Sequence, residues 1–141
     1  MKVTGLDGRS YNLNTSDYVV KNDCQRDRST YHLKARDLIV ETYGGYSVLE
    51  EVKLPGSTPV GKRGYLYLDF LIPRLNVAFE VHGRQHYEFV LHFHKTKAGF
   101  LKSQYRDHQK KQWCELNNIT LVELNYEHDT EHWRTQIAKR S

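Results

Sequence analysis

The sequence predicts an α/β protein of the α+β kind, built on a central mixed β-sheet flanked by helices. Segments of helical and strand periodicity follow one another in the order helix, three strands, helix, strand. The three strands are short and consecutive, as in an antiparallel meander. The last strand follows a long helix, the connection a parallel neighbour needs. A chain of 141 residues suits a single compact domain with one core.

Residues 1–28 read as an N-terminal hairpin and linker. Leu6-Asp7-Gly8-Arg9 holds the Asp-Gly pair of a tight turn, and the polar stretch from Lys21 to Arg28 is the linker. The main domain, 29–141, opens on Ser29 as a helix N-cap. Tyr31, Ala35, Leu38, Ile39 and Thr42 then recur at helical spacing, and Gly44-Gly45 stops the helix. A strand from Ser47 to Leu54 ends at Pro55-Gly56. The strand Tyr65 to Ile72 turns through Pro73-Arg74-Leu75-Asn76 into the strand Val77 to His82. A polar, His-rich segment from Gln85 to Lys97 precedes a helix from about Gly99 to Asn117. Ile119 to Leu124 is a further strand, and about His128 to Lys139 a short helix. There is no internal repeat and no low-complexity segment.

A formal charge of +4 permits contact with a polyanion without establishing it. Two cysteines, Cys24 and Cys114, form no C-x-x-C pair, which argues against a disulfide scaffold and a cysteine-rich zinc site. They point to a reducing, cytoplasmic compartment. The start Met1-Lys2-Val3-Thr4-Gly5 lacks the apolar stretch of a signal peptide, and no run reaches the length of a membrane span.

Chemistry concentrates between Asp69 and His86. In Val77-Ala78-Phe79-Glu80-Val81-His82 side chains alternate, so Glu80 and His82 share a face. A carboxylate on a semi-buried strand costs free energy unless it has a partner. Asp69 on the preceding strand repeats the pattern, which suggests a shared cation. Two carboxylates and a strand carbonyl suit Mg²⁺, and an imidazole titrating near neutrality suits a base that orients water.

The run Asp69…Glu80-Val81-His82, in this order of elements, resembles the PD-(D/E)xK nuclease superfamily, with His82 where the motif lysine usually stands. The spacing is most similar to the very-short-patch repair endonucleases. Glu80-x-His82-Gly83-x-Gln85-His86 also resembles the EDxHD branch of phage and homing endonucleases. Asp107-x-x-x-Lys111 resembles the acid and basic residues that follow the motif there. The resemblance spans roughly residues 29–125. It implies a restriction-endonuclease-like core and Mg²⁺-dependent phosphodiester hydrolysis, with Mn²⁺ able to substitute. By position it makes Asp69 and Glu80 metal ligands, the Val81 carbonyl a third, and His82 the general base or the stand-in for lysine. Many relatives carry a glutamate on the first helix; here His32 occupies that place and could position water or a phosphate, or simply be a partly buried helix residue. A phage or other mobile element is the setting the resemblance suggests.

Several residues have weaker claims. Regular alternation puts Glu51 opposite Val48, Val52 and Leu54, which lets it approach the metal or remain solvated, with Glu50 as the second candidate. Gln85 and His86 could contact the scissile phosphate or simply form a capped turn. His92 and His94 alternate as zinc ligands can, but no further ligands accompany them. Lys102, Arg106, Lys110 and Lys111 make a basic, aromatic-laced helix that could follow a DNA backbone, or be an ordinary solvated face. The reading that results is a DNA endonuclease whose small size calls for a homodimer or a DNA-targeting partner protein to reach long-site specificity. The alternative is a catalytically silent nucleic-acid-binding module with a nuclease-like fold. An HNH nuclease is disfavoured, because its paired histidines, Asn and final His cannot be laid on this chain.

Overall fold

The computed structural model describes residues 1–19, 29–61 and 63–141 and, for His92, the main chain alone. The stretch read as a linker, 21–28, lies outside the described residues. Strands β1 (Lys2–Thr4) and β2 (Ser10–Asn12) pair antiparallel across the expected turn. Gly8 takes the left-handed conformation there, with φ of 80°. The Asp7 carboxylate accepts the Arg9 amide and the Tyr11 hydroxyl.

Helix α1 (Thr30–Tyr43) starts at Ser29, whose hydroxyl accepts the His32 amide at 3.0 Å. Strands β3 (Leu49–Lys53), β4 (Tyr67–Ile72) and β5 (Val77–His82) follow. After them come the one-turn helix α2 (Leu91–His94), the long helix α3 (Lys97–Leu116), strand β6 (Thr120–Asn125) and helix α4 (Thr130–Lys139). The sheet runs β3-β4-β5-β6. Its first two pairings are antiparallel, and β5 pairs parallel with β6, from Val77↔Thr120 to His82↔Asn125. The chain is therefore a mixed four-stranded sheet flanked by helices. Helix α2 lies within the His-rich segment; four residues are too few to leave a periodic signal.

Each face of the sheet buries its own core. On one side α1 and α4 cover Phe70, Ile72, Val77, Phe79, Val81 and Leu124 with Ile39, Trp133 and Ile137. On the other, Trp113 and Cys114 of α3 cover Leu49, Val52, Leu68, Leu71 and Ala78. The N-terminal hairpin adds Val3 and Leu13 to this second core and is tied to α3 by Asn117, which bonds both the Thr4 amide and carbonyl. Both buried tryptophans satisfy their indole N–H, Trp113 on the Pro55 carbonyl and Trp133 on that of Asn125.

The β3–β4 ladder turns over at its middle. Val48 faces the α1 side, yet Val52 and Leu54 face α3; Leu68 faces α3, yet Phe70 faces α1. Register is kept across the switch, Glu50↔Phe70 and Val52↔Leu68, so both strands rotate together where Glu51 lies opposite Asp69. Glu51 absorbs the rotation with φ of 51°. The regular alternation expected between Val48 and Leu54 is thereby corrected. Glu51 is exposed, and Glu50 is the acid that this face carries inward.

Candidate functional site

Strands β4 and β5 pair only from Ile72↔Val77 to Phe70↔Phe79. Beyond Phe79, β5 continues through Glu80, Val81 and His82 on β6 alone. Asp69 stands in the gap, and its Oδ2 accepts the Val81 amide at 2.8 Å. A carboxylate thus replaces a missing ladder bond. Amide and carbonyl of one strand residue point the same way, so the Val81 carbonyl also faces the gap.

Glu80 points towards α3 and is 2% exposed. Lys110 Nζ of α3 lies 3.2 Å from its Oε1, an ion pair without the alignment of a hydrogen bond. Burial, then the neighbouring Asp69 charge, pushes the Glu80 carboxyl well above the usual carboxylate range. Burial also works against the Lys110 ammonium, but the charges of Glu80, Asp69 and Asp107 outweigh it and hold its pKa above the ordinary value. One ammonium therefore serves three acids. Two adjacent carboxylates, one of them with a buried oxygen that has no well-formed hydrogen bond, and a strand carbonyl make a hard donor set that fits Mg²⁺ or Mn²⁺.

These groups open into a cavity of about 600 Å³, whose lining includes His32, Asp69, Glu80, Gln85, His86 and Lys110. Directly after β5, His86 Nδ1 lies 2.8 Å from Asp107 Oδ2 of α3. Burial raises the Asp107 carboxyl, but the hydrogen bond from His86 and the nearby His86, His82 and Lys110 charges prevail and hold it below its usual value. An ionised carboxylate only accepts, so His86 Nδ1 carries a proton and, in the neutral ring, the free lone pair is on Nε2.

His82 sits behind His86, 5% exposed, the two rings stacked 4.3 Å apart and within 4° of parallel. Its Nδ1 lies 3.3 Å from Glu123 Oε2, and Lys111 Nζ lies 2.8 Å from the other oxygen. The hydrogen bond from His82, aided by Lys111 and opposed by burial, holds the Glu123 carboxyl down at about 2. His82 does not line the cavity; His86 does. On the α1 side, His32 Nε2 bonds Glu50 Oε1 at 2.9 Å, Arg36 holds the other Glu50 oxygen at 3.5 Å, and His32 Nδ1 lies 4.0 Å from Asp69 Oδ1. His32 and Asp69 thus stand side by side on the cavity wall, beyond hydrogen-bond reach of one another.

The structure thus gathers Asp69, Glu80, Val81, His32, Gln85, His86 and Lys110 around one cavity, with Asp107 and His82 supporting it. Glu51 stays outside. Of the four cations expected along a DNA backbone, Lys110 and Lys111 pair with strand acids. Arg106 donates to the Val60 carbonyl at 2.9 Å, while Lys102 is exposed and its stem lies over Gly61. The sequence reading passed over Glu123. The available signal was an acid flanked by apolar residues in Thr120-Leu121-Val122-Glu123-Leu124, the same signal that marked Glu80.

Among the described residues, His82, His86 and Asp107 lie close enough to share an ion, their ligand atoms within 4.8 Å. The stacked rings argue against it, since imidazole lone pairs lie in the ring plane and two parallel planes do not converge on one ion. His94 Nδ1 accepts the Val90 amide at 2.9 Å, and the His92 side chain lies outside the described residues, so the zinc expectation gains nothing.

The chain is 46% identical over 68 residues to "uncharacterized protein 307L" of Invertebrate iridescent virus 6, covering 47% of this chain and 34% of that protein. It is 36% identical over 61 residues to "uncharacterized protein 033L" of Invertebrate iridescent virus 3, covering 43% of this chain and 31% of that protein. It is 42% identical over 62 residues to "uncharacterized protein 094L" of Frog virus 3, covering 43% and 40%. The chain thus spans well under half the length of the curated relatives it matches, and these relatives are viral proteins. No family model and no solved structure matches it. No helix among the described residues is long and apolar enough to cross a membrane.

Proposed function

We propose that this protein is a Mg²⁺-dependent endonuclease with a restriction-endonuclease-like core, hydrolysing DNA phosphodiester bonds. The observation that carries the reading is the meeting of Asp69 and Glu80 at the point where β4 and β5 part, in one cavity with the His86–Asp107 pair. Asp69, Glu80 and the Val81 carbonyl would hold the ion. When bound, Mg²⁺ would neutralise these acids and stabilise the charge that develops on the phosphoryl group.

The protein's own groups supply the proton chemistry. His86 Nε2 takes a proton from water as its oxygen bonds to phosphorus and the ester P–O bond breaks; the departing oxygen takes a proton from solvent. Asp107 holds the His86 tautomer and stabilises the imidazolium that forms. This moves the base from His82 to His86, because His82 is enclosed and engaged with Glu123. His82 then packs behind the working ring. His32, held by Glu50, stands beside Asp69 on the cavity wall. The domain is small, so site selection in DNA calls for a second copy or a targeting partner.

Plasmid nicking tests the proposal. Purified protein with Mg²⁺ or Mn²⁺ should relax supercoiled DNA. Asp69→Ala should abolish the activity, and His86→Ala should slow it about 10²- to 10⁴-fold. Absence of Mg²⁺-dependent nicking that Asp69→Ala removes would sink it. The Lys110–Glu80 ion pair favours a second reading, a silent DNA-binding module whose acids are already neutralised. Such a module binds DNA equally with and without Mg²⁺ and nicks nothing.

A further inference from the structure

A second cavity, of about 340 Å³, lies on the far side of the His86 and Lys110 side chains, which line both cavities. Its remaining wall includes Arg63, Arg106, Tyr65 and Tyr67. Tyr65 and Tyr67 alternate on the chain entering β4, so their rings stand on one face, and they are 46% and 47% exposed. The Lys53 ammonium sits 4.8 Å from the Tyr65 ring centroid, a further cation beside Arg63, Arg106 and the shared Lys110. Across the acid site, Tyr31, Phe93 and Tyr126 line the first cavity.

Aromatic surface therefore flanks the acids on both sides, accompanied by Arg63 and Arg106 on one and by Arg84, paired with Glu88, on the other. Exposed rings are of little use to a paired base, whose faces are already stacked. An unpaired base can lie on them, and stacking of this kind tolerates any sequence.

Resting on the proposed hydrolysis, we infer that the second cavity is a subsite for single-stranded DNA, holding the nucleotide that flanks the scissile phosphate. Its base stacks on Tyr67 and Tyr65, and its phosphate meets Arg63 and Arg106. The strand crosses between the cavities over His86 and Lys110. The preferred substrate is thus an unpaired strand or a flap, including the unwound stretches that a negatively supercoiled plasmid exposes.

Fluorescence anisotropy in EDTA, where no cleavage occurs, tests this with short and long labelled oligothymidylates and a duplex of the longer length. The wild-type protein should bind the long strand more tightly than the short strand or the duplex. Tyr67→Ala should weaken long-strand binding about tenfold and erase the gain from length. Arg63→Ala, at a surface position, should lower the salt dependence of log Kd by about 0.7. Tyr46→Ala, on an exposed ring packed on Tyr43 outside both cavities, should bind as the wild type does. Equal binding of long strand and duplex, with no loss in either Tyr67→Ala or Arg63→Ala, overturns the subsite. Nicking of plasmid by a protein that fails this binding test removes the subsite and leaves the hydrolysis. The expected binding pattern in a protein that cleaves neither plasmid nor single-stranded DNA keeps the subsite and removes the hydrolysis.

Discussion

Strands β4 and β5 are two different objects at their two ends. At the paired end, Phe70↔Phe79, Leu71↔Ala78 and Ile72↔Val77 are apolar and essentially fully buried. At the parted end stand Asp69, Glu80 and His82, with Glu123 alongside Glu80 on β6. One pair of strands thus carries both the dry centre of the core and, among the described residues, two of the three ionisable side chains the sheet buries, Glu80 and His82, the third being Glu50 of β3. The difference teaches where such a chain can place a reactive site. A backbone ladder satisfies every amide and leaves no room, whereas its end frees main-chain groups and opens a gap that side chains must fill. Asp69 fills it by accepting the Val81 amide, and this bond brings its carboxyl beside Glu80.

If the division is real, the two ends respond oppositely to truncation. Phe79→Ala empties the paired end and should cost about 3–5 kcal/mol in denaturant unfolding. Glu80→Met combined with Lys110→Met removes the buried ion pair from the parted end. This variant should be as stable as the parent or more stable, by up to about 4 kcal/mol, while losing all nicking. A large loss of stability there would mean that the charges hold the fold together. Ser29→Ala removes the cap that starts α1 beside His32 and should cost about 1 kcal/mol in the same measurement.

A further expected effect is in acid. Glu123 has a folded value of about 2 against an ordinary 4.5, so its pairing with His82 and Lys111 contributes stability above pH 4.5 that is lost as pH falls through about 2. Glu80 acts in the other direction, because a raised carboxyl is more readily protonated in the folded state, and acid relieves its burial. Denaturant midpoints measured from neutral pH downwards should fall less steeply in Glu123→Gln than in the wild type. An unchanged slope would place the acid-sensitive contacts elsewhere.

Much of this site was legible from local pattern. Asp69 and Glu80 each stood as an acid in an apolar strand, and Ser29 stood before a helical repeat. What escaped depended on the path of the chain in space. Glu50 and Glu51 differ by one residue, and the rotation of both strands at Glu51 decided which went inward. His86 and Asp107 lie 21 residues apart in sequence; each had a weaker claim of its own, and only the crossing of α3 over the end of β5 joined them as a pair.

By itself, the sequence determined the elements and their order, the meander followed by a parallel strand, and the two acids around which everything else collects. These follow from side-chain periodicity and turn chemistry, which act over a few residues. Tertiary structure alone decided that Lys110 neutralises Glu80 instead of facing solvent, that His86 and not His82 lines the cavity, and that Glu50 braces His32. Those choices depend on distances between groups remote along the chain, and only the packing of helices on a sheet that parts at one end sets such distances.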